Sequence, residues 1–123
     1  MKMKSLLGLV AGALLILSAG AHSILGWKAM SERLAQTNAP PDLVQGLQIG
    51  WMFGGPVMVV FGIICIATFL KRFRGAAAST FAPALIAVTY IGFATWAAVV
   101  TGGDPFFMLF LVPGVLLAIA SIP

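Results

Sequence analysis

LVQGLQIGWMFGGPVMVVFGIICIATFL, Leu43–Leu70, runs for 28 residues without a charged side chain. The hydrocarbon core of a bilayer needs about 20 mainly apolar residues in a helix, so this run exceeds it by a turn or two and must tilt or project. Gln45 and Gln48 occupy its outer end, which is the part expected to project. The run reads as a membrane span, with Pro56 inside it removing the amide that would serve the Met52 carbonyl and so kinking the helix.

Outward from that run, the same character fills the chain. Ser5 to Trp27 follows Lys2 and Lys4 and carries no charge; about Ala76 to Thr101 makes a third run; Gly102-Gly103-Asp104-Pro105 forms a tight turn into a fourth, Phe106 to Ile122. With 123 residues, 61% hydrophobic and 8% charged, the chain lies far from the roughly one quarter charged of soluble domains. The expected fold is all-α: a single domain, 1–123, forming an integral membrane four-helix bundle with spans about 5–27, 43–70, 76–101 and 106–122.

The first run also imitates a secretory signal peptide, with a basic start, an apolar middle and the small triplet Ala19-Gly20-Ala21 before His22. Cleavage there would leave three spans and an amino-terminal histidine able to chelate copper. The apolar run continues past the triplet through Ile24, Leu25 and Trp27, as a retained span requires, and four spans are expected.

Residues 28–43, KAMSERLAQTNAPPDL, are the one sizeable polar stretch. Ala29, Met30, Leu34 and Ala35 recur at helical spacing until Asn38 and Pro40-Pro41, which predicts a short interfacial helix in the first outer loop. Asp42 follows the prolines as the expected cap of the next helix. In this topology Lys2, Lys4, Lys71, Arg72 and Arg74 share one side, while Lys28 and Arg33 share the other with Glu32, Asp42 and Asp104. The positive-inside rule then puts both termini in the cytoplasm. So few basic residues, all at the ends of apolar runs, give no footing for nucleic acid.

Chemistry-bearing residues are sparse. No Asp, Glu, Lys or Arg falls inside a span, which argues against a coupled transporter and against the small multidrug exporters of similar length, whose first helix carries an acid. No phosphate loop, paired carboxylates or Ser-His-acid set is present, so no catalytic residues are assigned. The single Cys65 lies in an apolar run as a small hydrophobe. His22 is the one ionisable group near the membrane interior. It has no second histidine to share a metal or haem, so none is predicted, although a haem held by His22 alone, or a quinone, remains an alternative.

His22 is expected to hydrogen-bond a neighbouring helix through Gln45, Gln48 or Ser23, since polar groups bind helices to one another in lipid. Alternatively His22, Trp27, Gln45, Gln48 and Trp51 line an outward cavity for a lipid, quinone or pigment. The strongest local pattern is Gly46, Gly50 and Gly54 at spacing four, with Gly8 and Gly12 a second seam; small residues at this spacing let another backbone approach closely. Their plain reading is packing within the bundle, and their functional one is self-association or a membrane-protein partner.

HSILGWKAM, His22–Met30, and PPDLVQGLQIGWMFGG, Pro40–Gly55, resemble small uncharacterised bacterial four-helix inner-membrane proteins, with DoxX-type proteins similar in their four-span architecture. The resemblance covers roughly the first 70 residues and implies a bacterial inner membrane. It also implies a histidine where this chain has Met52, so that a two-histidine site would be incomplete here. It implies no activity. The leading expectation is a non-catalytic accessory or structural subunit, or a homo-oligomer packed through glycine seams, with membrane lipids around it. The alternative is an apolar-ligand binder or membrane enzyme around His22.

Overall fold

The computed structural model describes residues 2–122 and is all-helical, with no strand among the described residues. Helix α1, Lys2–Gly20, passes into a π-helical turn, Ala21–Gly26, and on into α2, Trp27–Ala35; α3 spans Pro41–Phe73, α4 Phe81–Val100, α5 Pro105–Met108 and α6 Leu111–Ser121. Three helical stretches are long and apolar enough to cross a membrane: Lys2–Ala35, Pro41–Phe73 and Phe81–Val100. The last apolar stretch, Pro105–Ser121, is shorter.

Three expectations are corrected. The interfacial helix is not a separate element, because α2 continues the first helix to make one stretch of 34 residues, Lys2–Ala35. The change from apolar to charged at Lys28 alters the solvent a helix faces and not its backbone, and only Asn38, at φ 52°, and the two prolines end it. Asp42 is not a cap: Pro40 holds that position, and Asp42 lies in the first turn without a capping bond. Asp104 is the carboxylate that caps, accepting from Phe106 N at 2.9 Å. The fourth run, expected continuous from Phe106 to Ile122, breaks between α5 and α6. Pro113 has no amide for the Leu109 carbonyl, and its ring crowds that turn, so Leu109 and Phe110 leave the α-helix.

Glycine sets two of the helix ends. After α3, Gly75 at φ 86° allows Gly75 N to donate to Arg72 O and Ala76 N to Lys71 O at 2.9 Å; after α4, Gly102 and Gly103 repeat this arrangement, with Gly103 N to Ala98 O at 2.7 Å. Both are the paired closing bonds that a left-handed residue makes available at a helix end. The third run consequently starts its helix at Phe81, beyond the Gly75 turn.

The helices run alternately up and down. Lys4 Nζ donates to Ile122 O at 3.2 Å and Thr80 Oγ1 to Ser121 O at 3.0 Å, while Arg72 Nη1 reaches Ala78 O at 3.1 Å. These bonds gather the start of α1, the end of α3, the start of α4 and the end of α6 at one end, which carries Lys2, Lys4, Lys71, Arg72 and Arg74. We call it the basic end; the far end holds α2, the start of α3 and Asp104. Helix α1 is central, packed on α3 and α6, with α4 on α6. The core joins Ala11, Leu15 and Ala19 of α1 to Met58, Cys65 and Phe69 of α3, and to Ile86, Tyr90, Leu117 and Ala120. At the α5–α6 break, Phe93 receives the rings of Phe107 and Phe110, with centroids 6.4 and 5.0 Å away.

Candidate functional site

Where the first helix approaches α3 at the far end, its turns widen into the π-helical segment Ala21–Gly26. Such widenings are rare and recur at functional sites, because carbonyls there no longer align well with amides along the helix. Here the His22 carbonyl accepts the Trp51 indole N–H at 2.8 Å, and His22 Nε2 lies 3.0 Å from the Trp51 carbonyl. Each residue therefore uses its side chain on the other's backbone. The two rings lie parallel, 5° apart in plane, with centroids 4.7 Å apart. Nε2 carries the proton in this arrangement, since a carbonyl can only accept.

Glycines make room for the two rings. A Cβ on Gly54 would come within 2.6 Å of His22 Nε2, and one on Gly26 within 2.9 Å of Trp51 Cζ2. Ser23 packs its hydroxyl against Gly55, so α1 and α3 approach closely on this side. Trp27 stands beside Trp51, centroids 6.4 Å apart and tilted by 53°.

The partner expected for His22 among Gln45, Gln48 and Ser23 is thus Trp51. Gln45 and Gln48 are exposed, and they and Trp27 lie outside the groove that His22 and Trp51 line. Sequence spacing places residues on faces of one helix but gives no register between two helices, and this left the His22–Trp51 bridge unread. A signal was present: each ring has glycine close by in sequence, Gly26 after His22 and Gly54 after Trp51.

The glycine pattern divides. Gly8 packs on Phe69, and Gly12 and Gly62 face each other: a Cβ on Gly12 would lie 3.0 Å from Gly62 O, and one on Gly62 only 2.7 Å from Gly12 O. Gly54 meets His22. Gly46 and Gly50, by contrast, meet nothing within 4 Å. They line an open groove of about 780 Å³ on α3, together with Asp42, Leu43, Leu47, His22, Trp51 and Gly54. Among the described residues no group of three His, Cys, Asp or Glu could hold a metal ion.

No protein-family model, curated protein or solved structure matches this chain.

Proposed function

We propose that the chain is a non-catalytic integral membrane protein that crosses the bacterial inner membrane four times, with both termini cytoplasmic, and self-associates through the Gly46–Gly50 face of α3. The observation that carries the reading is the contrast among glycines. Those at 8, 12, 54, 55 and 62 are met by neighbours within the chain, whereas Gly46 and Gly50, one turn apart on an apolar helix, face an open groove. In lipid, helices associate by close packing of such small residues, because the solvent offers no hydrophobic drive. A two-fold contact would set this face against its own copy. Lys28 and Arg33 of one copy could then complement Asp42, which edges the groove of the other.

The last apolar stretch supports the reading, since Pro105–Ser121, counted through the break at Leu109 and Phe110, takes up 17 residues, about the lower limit for a span, and returns the chain to the basic end beside Lys4. The gathering of five basic residues there supports a cytoplasmic placement of that end.

Native mass spectrometry of the protein released from nanodiscs tests association. A homo-oligomer is expected, with Gly50→Ile converting it to monomer at unchanged helix content. A stoichiometric foreign membrane protein would replace self-association with an accessory role, and a strictly monomeric, partner-free particle would overturn both. A second reading draws on the same groove, where Asp42, His22 and Trp51 supply polar groups beside Leu43 and Leu47: binding of a lipid, quinone or pigment. Organic extraction and an absorption spectrum of the same preparation test it. A bound species lost in His22→Ala would favour it, and an empty extract would remove it.

A further inference from the structure

The basic end carries a second, independent feature. Its five cations are brought together from two helices, α1 and α3, and all three acidic side chains of the chain, Glu32, Asp42 and Asp104, belong to the far end. Two of the five have backbone duties: Lys4 bonds Ile122 O, and Arg72 bonds Ala78 O across the α3–α4 turn. The carbonyls exposed at the C-terminus of α3, which cations ordinarily compensate, are met instead by backbone amides of the Gly75 turn, with Arg74 N on Leu70 O, Gly75 N on Arg72 O and Ala76 N on Lys71 O. Lys71 and Arg74 are exposed, with Lys2 exposed at the start of α1.

Apolar surface flanks these cations. Met3 is 69% exposed and Phe81 70%, with Leu6 and Phe73 also exposed. A ligand suited to this surface has a negative headgroup for the cations and hydrocarbon chains for the side chains beneath them. Free phosphate would leave the apolar part unused. We propose that Lys71 and Arg74, with Lys2, form a binding surface for an anionic phospholipid at the basic end. Juxtamembrane Lys and Arg are each attracted to an anionic membrane surface, so losing two such charges weakens binding by roughly tenfold or more. The proposal rests on the chain residing in a bilayer and is independent of association through α3.

The test is native mass spectrometry of the full chain titrated in detergent with phosphatidylglycerol, phosphatidylethanolamine or inorganic phosphate. Phosphatidylglycerol should be retained in preference to the other two. Lys71→Gln/Arg74→Gln should lose that preference by about tenfold, and Lys71→Arg/Arg74→Lys should keep it. Lys28→Gln/Arg33→Gln, which removes the same charge from the far end, should also keep it. Equal retention of phosphatidylethanolamine, equal binding of inorganic phosphate, or an equal loss in the far-end variant would overturn the proposal. A monomeric protein that still prefers phosphatidylglycerol would leave it standing while removing the self-association reading.

Discussion

At the scale of single residues, the His22–Trp51 bridge concentrates the polar chemistry of an otherwise apolar interface between helices. Each backbone carbonyl there accepts from the other residue's side chain, so neither ring can leave without exposing two polar groups. Interhelical hydrogen bonds in membranes are worth on average about 0.6 kcal/mol and at most near 2. Trp51→Phe, which keeps a ring for stacking but removes the indole N–H, should lower the free energy of reversible detergent-induced unfolding by about 1 kcal/mol. Trp27→Phe, which loses no such bond to His22, is the control and should leave it nearly unchanged. Equal midpoints for the two variants would show that the bond contributes nothing. Single-residue environment was legible in the sequence where hydrophobicity alone decides it: Cys65, read as a small hydrophobe, is fully buried.

At the scale of elements, the α1–α3 pair combines large side chains such as Phe69 and Trp51 with close backbone approach. Gly12 and Gly62 bring the two helices so close that a methyl group on Gly62 would press on a carbonyl oxygen, which cannot rotate aside. Gly62→Ala should therefore cost about 1–3 kcal/mol in the same unfolding experiment, the usual range for overpacking. Gly20→Ala, on a helical residue with open space around it, should be neutral or stabilising by up to about 1 kcal/mol. If both substitutions behave alike, close approach is not what holds the pair. The sequence exposed the small-residue spacing that makes such seams possible, but periodicity within one helix could not tell an occupied glycine such as Gly54 from an open one such as Gly50. It also missed the continuity through Gly26 and Trp27, because apolar runs report what surrounds a helix and not where its hydrogen bonds stop. The break before α6 was readable in principle from Pro113, but was hidden within uniformly apolar sequence.

At the scale of the whole molecule, up-and-down order and the one-sided collection of basic residues agree, and together they make a topology experiment decisive. Cysteines at Thr37 and Ala76 lie in the loops at opposite ends, both exposed, while native Cys65 is fully buried. In intact spheroplasts a membrane-impermeant maleimide should label Thr37→Cys, and in inverted vesicles Ala76→Cys, with the parent protein unlabelled in both. Labelling of both cysteines from one face would rule out the proposed four-pass arrangement. The composition made an all-helical fold with three membrane-length helices legible at once, since three of the four apolar runs exceed 20 residues. The shortness of the last pass was less evident, because Asp104-Pro105 and Pro113 remove helix from both sides of it.

That short pass has a mechanical consequence for the lipid around it. The first helical stretch, at 34 residues, and α3, at 33, are each about 50 Å long, whereas α4 is about 30 Å and the last stretch, Pro105–Ser121, at most about 25 Å. A bilayer in contact with the whole perimeter meets a tall wall on one flank and a low one on the other. In the proposed membrane setting, lipid tails beside α5 and α6 would compress or tilt to match, at a cost of fractions of a kcal/mol for each ångström of mismatch. The molecule would thus act as a standing dent in its membrane, locally thinned on its α6 flank.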